Sequence, residues 1–158
     1  MSQVAKRTVS NINAVSITLE ADGEQVLFIL LAADHSINRL GTGTVSNLHR
    51  DLYIGVAQEP LFDQLMTHLN DEMLEHMGGY EMPAQHGLPC KLTIALSFTE
   101  GDAGGFGFRY GSKSAGPPIE IMELVRAAVT LTDPWFHEQQ RKIGKAASIE
   151  RKPWWKFW

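Results

Sequence analysis

The sequence predicts an α+β fold, with an antiparallel sheet of about five strands and two or three helices packed on one face. Apolar runs of strand length occur in pairs around turn sequences, which favours hairpins. Stretches with apolar residues at every third or fourth position, typical of helices, do not alternate regularly with the strands. Strands that come as two hairpins plus a linking strand indicate an antiparallel sheet with helices on one side.

The first hairpin is predicted near the start of the chain. Strands are expected at about 12–20 and 25–33, around the Asp-Gly dipeptide at 22–23, because both residues tolerate the positive φ angles of a tight turn. A polar, glycine-containing stretch follows, in which a short irregular strand is expected near 41–46. The segment "DLYIGVA" (51–57) then predicts the linking strand.

A long helix, a second hairpin and further helices are predicted after residue 60. The long helix begins at Pro60, ends before the glycine pair at 78–79, and carries an apolar stripe: Phe62, Leu65, Met66, Leu69, Met73 and Met77. The segments at 90–100 and 106–112 predict the second hairpin. Two helices are expected at 119–131 and 133–147, the second with Asp133 as its N-cap.

The size and composition of the chain fit one domain at 1–150, followed by a basic aromatic tail at 151–158. The 158 residues are 44% hydrophobic and 20% charged, as in ordinary globular domains. No apolar run approaches the roughly 20 residues of a membrane span, and the first residues do not resemble a secretory signal. The single cysteine, Cys90, excludes an internal disulfide, so we expect a cytoplasmic protein.

Charge is divided unevenly along the chain. Residues 1–140 contain eight Lys and Arg against seventeen Asp and Glu, a net charge of −9, whereas residues 141–158 contain six basic residues against one acidic, a net charge of +5. The tail also contains three of the four tryptophans: Trp154, Trp155 and Trp158. An acidic body favours basic partners, and we expect the tail to dock on this body or on that of another copy. A partner protein is the next alternative, while six or seven residues are too few for a stable amphipathic membrane anchor.

Two short segments resemble motifs of a nucleic-acid-binding family. "LYIGVA" (52–57) resembles the first conserved strand motif of the RNA recognition motif family, and "GFGFRY" (105–110) resembles the second. The resemblance implies base stacking by aromatic residues on adjacent strands: Tyr53, Phe106 and Phe108. Gly104 and Gly111 stand where that pattern has a basic residue and an aromatic one, and the acidic body repels phosphate. Nucleic acid is therefore not the expected partner.

Catalytic and metal-binding patterns are sparse. His35, Arg39 and Arg109 are the candidate residues of a small enzyme's cleft, but no nucleophile elbow of the G-x-S-x-G type occurs. His68, Glu72 and His76 recur every four residues on the predicted long helix, yet the short ligand pairs of a zinc site are missing. We therefore expect neither a metal nor a cofactor.

The sequence thus predicts a small acidic binding protein whose partner is another protein or a second copy of itself. In size and charge it is analogous to regulatory or immunity-like proteins that neutralise a basic partner. The alternatives are the small enzyme with its cleft near His35, Arg39 and Arg109, and RNA binding through the two aromatic strands. The candidate binding residues are those three together with the aromatic ones: Tyr53, Phe106, Phe108, Trp154, Trp155 and Trp158.

Overall fold

Seven strands form one mixed sheet in the order β4-β3-β2-β1-β6-β7-β5. The computed structural model describes residues 7–44, 51–82 and 85–150, with the backbone alone for 144–150. The strands are β1 Ile12–Ala21, β2 Glu24–Ala32, β3 Ser36–Leu40, β4 Leu52–Val56, β5 Gly78–Glu81, β6 Pro89–Phe98 and β7 Ala103–Gly111. The α-helices are α1 Leu61–Met66, α2 Asp71–Leu74 and α3 Ile119–Glu150. The predicted α+β class is confirmed, while the sheet is larger than expected and partly parallel.

Both predicted hairpins form. β1 pairs antiparallel with β2 across a turn in which Asp22 and Gly23 have φ angles of 52° and 79°. β6 pairs antiparallel with β7, and β6 also pairs with β1. The two hairpins therefore join side by side as the centre of the sheet.

Two strands that the sequence did not predict enlarge this sheet. β3 lies in the polar stretch after β2, where Ile37 and Arg39 are buried in alternation with half-buried neighbours. β5 follows α2 and pairs in parallel with β7. The irregular strand expected near 41–46 is not formed at 41–44, and 45–50 lie outside the described residues.

The long helix predicted from Pro60 to the glycine pair is two short helices. The Thr67 hydroxyl donates to the Gln64 carbonyl at the end of α1, at 2.7 Å. The Asn70 side chain then accepts from the Met73 amide at 2.9 Å and caps α2. Polar side chains that bond to nearby backbone interrupt a helix in this way. The predicted apolar face is nevertheless buried at its most apolar positions: Phe62, Leu65 and Leu69.

The two helices predicted around residue 132 are one helix, α3, which continues through Pro134. A proline removes one helical hydrogen bond, the one to the carbonyl four residues earlier. Pro134 and Thr130 both lie on the exposed side of α3, so water can reach the carbonyl that is left without its helical donor. Asp133 is not an N-cap, because its carboxylate instead pairs with Arg39.

α3 crosses one face of the sheet from β7 to β4. Ile121 lies near the rings of β7, and Trp135 packs over Gly55 on β4, where a Cβ atom would lie 2.8 Å from the indole. β7 and β4 are five inter-strand spacings apart, which at about 4.8 Å per spacing is about 24 Å. About 15 helical residues span that distance. Residues 137–150 therefore project beyond β4 by about 20 Å.

The described helices leave the opposite face of the sheet uncovered. On β4 the outward side chains alternate with those that face α3, and they are the most exposed apolar residues of the sheet: Leu52, Ile54 and Val56. Among the described residues, no helix has both the length and the apolar composition to cross a membrane.

Truncation of the α1 face should show that it forms part of the core. Leu65 is fully buried, so Leu65→Ala is expected to lower the free energy of unfolding by about 2–5 kcal/mol. Ile143, also on a helix, is 55% exposed, and Ile143→Ala should change it by less than about 0.5 kcal/mol. Urea unfolding of both variants measures the difference, and equal effects would contradict the assigned buried face.

Candidate functional site

A cavity of about 490 Å³ opens between α2, β5, β7 and the first turn of α3. Its volume lies within the range of about 300–1,000 Å³ that is typical of ligand sites. We call it the α2–α3 cavity. It lies at the end of the sheet where α3 begins, far from the end where α3 projects beyond β4.

Aromatic rings form the floor of the α2–α3 cavity. Alternation along β7 directs Phe106 and Phe108 to the helix-covered face, and their ring centroids are 6.5 Å apart in near-parallel planes. The parallel pairing of β5 places Tyr80 beside Phe108, and these rings stack at 5.3 Å and 14°. The Tyr80 hydroxyl donates to the His76 carbonyl, which fixes the ring in place.

The walls of the cavity are apolar and adaptable. Met73 and Met82 are half-buried there, and Ile121 of α3 closes the other side. Methionine side chains adjust to ligands of different shape because they are unbranched and polarisable. The cavity can therefore accept a flat apolar group without fixing one precise outline.

The rim of the cavity carries two carboxylates. Glu72 and Glu120 are exposed and line the opening from the first turns of α2 and α3. Within the described residues, neither carboxylate has an ion pair. The opening is therefore negatively charged. Among the described residues, no Lys, Arg or His forms an ion pair with these carboxylates, so a cation of a ligand could pair with them.

The structure separates the aromatic residues that the resemblance to the RNA recognition motif brought together. Phe106 and Phe108 lie in the cavity floor with 4% and 2% of their surface exposed. Tyr53 lies on β4, at the opposite end of the sheet from β7, where its ring meets Phe136 edge-on at 5.6 Å. β4 and β7 are therefore not adjacent, contrary to what the resemblance implies.

Arg39 holds α3 to the sheet and does not open to a cleft. Its guanidinium is buried and donates to the Asp133 carboxylate and the Thr132 hydroxyl, both at 2.8 Å, and to the Gly41 carbonyl at 3.0 Å. It also lies 4.5 Å from the centre of the Phe136 ring. Burial lowers the pKa of Arg39, and the bond to Asp133 opposes that shift.

Neither His35 nor Arg109 is a partner of the buried Arg39 guanidinium. His35 is exposed in the turn between β2 and β3, with a φ of 73°. Arg109 is exposed on β7, and alternation with Phe108 places it on the face that the described helices leave uncovered, beside Lys91. The predicted cleft of His35, Arg39 and Arg109 is not assembled.

The row of potential metal ligands is broken as well. His68 lies between α1 and α2, so it no longer shares a helix face with Glu72 and His76. Within the described ranges, no group of three potential ligands is close enough to hold a metal ion. Cys90 is half-buried and its thiol donates to the Leu88 carbonyl, and burial raises the pKa of that thiol.

Sequence reasoning singled out two of the three floor rings, Phe106 and Phe108, but not the cavity itself. Tyr80 and Met82 follow the glycine pair that the sequence presents as a helix stop, and only the parallel pairing of β5 brings them to Phe108. Trp154, Trp155 and Trp158 lie outside the described residues.

Comparison with known proteins gives no family for the chain: no family model matches it, and no curated protein matches it.

Removal of the counter-charge of Arg39 should destabilise the fold. Asp133→Asn leaves a buried guanidinium with a weaker partner, and should lower the free energy of unfolding by about 1.5–3 kcal/mol. The exposed pair of Arg141 and Glu138 is the control, because Glu138→Gln should cost less than about 1 kcal/mol. Urea unfolding at neutral pH checks both, and equal small losses would show that Arg39 does not depend on Asp133.

The thiol of Cys90 should react slowly in the folded protein. Because burial raises its pKa, less thiolate is present at a given pH than in the unfolded chain, and the thiolate is the reactive form. The alkylation rate measured against pH should therefore rise at higher pH for the folded protein than in urea. A folded-state profile shifted to lower pH would instead indicate an activated cysteine.

Proposed function

We propose that this protein binds another protein, and that the α2–α3 cavity receives an aromatic side chain flanked by basic residues. The observation that carries the proposal is the combination of a stacked aromatic floor with a rim of unpaired carboxylates among the described residues. Such a site is complementary to a short peptide segment that alternates aromatic and basic side chains.

The aromatic floor supplies the affinity. One indole buries about 150–250 Å² on binding, which at about 25 cal/mol per Å² contributes roughly 4–6 kcal/mol. Stacking on the exposed ring of Tyr80 adds about 0.5–1.5 kcal/mol. Since association and side-chain ordering cost several kcal/mol, one ring alone should bind more weakly than about 1 mM. A dissociation constant between about 10 μM and 1 mM is expected only for a short peptide that adds a second ring and cations facing the rim.

The carboxylate rim makes the proposed binding selective for basic partners. Glu72 and Glu120 favour a cation beside the buried ring and disfavour an anion there. The negative charge of the body as a whole attracts basic proteins over longer distances. The same charges repel phosphate backbones, so the rim that favours a basic peptide disfavours nucleic acid.

A labelled peptide measures this preference directly. A fluorescein-labelled Lys-Trp-Lys-Trp peptide, mixed with the full chain at low salt, should show saturable fluorescence anisotropy in the range given above. Lys-Ala-Lys-Ala, which keeps the charge but has no ring, and Glu-Trp-Glu-Trp, which keeps the ring but reverses the charge, should bind at least about tenfold more weakly.

Matched variants assign that binding to the cavity. Glu72→Lys with Glu120→Lys, the pocket variant, should weaken binding of Lys-Trp-Lys-Trp about tenfold or more. Glu59→Lys with Glu123→Lys changes the net charge equally at exposed positions that do not line the cavity, and should bind nearly as wild type does. Equal weakening by both variants would contradict the proposal, since only overall charge would then matter.

A further inference from the structure

We infer that the segment which occupies the α2–α3 cavity is the basic aromatic tail, residues 151–158, of a second copy of this chain. This inference rests on the proposed function and names the partner. Its grounds are the chemistry of the tail, the position of the cavity on the fold, and the distance between the cavity and the end of α3.

The tail has the chemistry that the cavity selects. "RKPWWKFW" contains three tryptophans and one phenylalanine among three basic residues, with no acidic residue. Any tryptophan that enters the cavity has a lysine or arginine within three positions in the sequence. A ring on the aromatic floor would therefore bring a cation to the rim formed by Glu72 and Glu120.

The tail of the same chain cannot reach that cavity. Glu120, in the first turn of α3, lines the cavity, and the helix continues to Glu150, about 45 Å away at 1.5 Å per residue. Even a kink of about 30° at Pro134 would shorten that distance by only about 2 Å. Eight fully extended residues span at most about 28 Å, which leaves a gap that no tryptophan side chain can bridge.

The fold therefore places the two complementary parts at opposite ends of one molecule. The cavity lies at the β7–β5 end of the sheet, while α3 carries the start of the tail past β4 at the other end. A tail that leaves one copy at the β4 end can enter the cavity of the next copy. The association is head-to-tail, so each copy both gives a tail and accepts one, and assembly continues until a ring closes.

The oligomeric state as a function of concentration tests the inference. The tail buries less area than a standard interface of about 1,200–2,000 Å², so the mean mass of the full chain in sedimentation velocity should rise between about 10 μM and 1 mM. A tail variant, Trp154→Ala with Trp155→Ala and Trp158→Ala, and the pocket variant should each remain monomeric. The Glu59→Lys, Glu123→Lys control should associate as wild type does.

A mixture of the two defective variants gives the decisive result. The tail variant retains a cavity and the pocket variant retains a tail, so an equimolar mixture should form a one-to-one dimer and nothing larger. Adding Lys152→Glu and Lys156→Glu to the pocket variant should restore its own association, because the charges are then exchanged across the contact.

Three outcomes would overturn the inference: a wild-type chain that stays monomeric to 1 mM, a tail variant that associates as wild type does, or a mixture of defective variants that remains monomeric. Lys-Trp-Lys-Trp binding to the tail variant separates these failures from a failure of the proposed function. If that peptide binds the cavity while wild type stays monomeric, the cavity serves another basic aromatic protein. If no basic aromatic peptide binds, both proposals are wrong.

Discussion

The buried guanidinium of Arg39 determines how α3 lies on the sheet. A charge without water must be satisfied by partners at fixed positions, and here the partners come from the loop after β3 and from one turn of α3: Gly41, Thr132 and Asp133. The Thr132 hydroxyl also donates to the Ala128 carbonyl, so it joins the guanidinium to the helical backbone. These bonds fix α3 against β3 at one register along its length.

That register sets the position of everything at both ends of the helix. Toward the N-terminus, it places Ile121 and Glu120 against β7, where they complete the wall and rim of the cavity. Toward the C-terminus, it places Trp135 over Gly55 and directs the following residues beyond the sheet. A shift of one turn, about 5.4 Å, would separate Ile121 from the rings of β7. The ion pair in the middle of α3 thus controls the shape of a cavity that it does not touch.

Local sequence signals predicted the parts of this fold that local interactions determine. The Asp-Gly turn fixes the first hairpin because its φ angles are a property of those two residues. β5 was missed because Gly78–Glu81 has little strand character of its own and forms a strand only by pairing with β7, which comes more than twenty residues later. β3 was missed for a related reason: Arg39 looks like a surface residue in the sequence, and only its partners on α3 make it a buried one. Pro134 suggested a helix start because the sequence does not reveal that the Asp133 carboxylate pairs with Arg39 and is not an N-cap.

For the same reason, the sequence indicated only part of the candidate site. Phe106 and Phe108 are prominent because they alternate with glycines on one strand, but alternation cannot say which face of the sheet the helices cover. With α3 and α2 above them, the rings become the floor of a cavity, so the proposed partner would reach them by inserting a side chain and not by lying across an open aromatic surface. For the proposed contact, that geometry favours a projecting indole over a flat run of stacked bases, so the tail that we propose as occupant would match the cavity in shape as well as in charge.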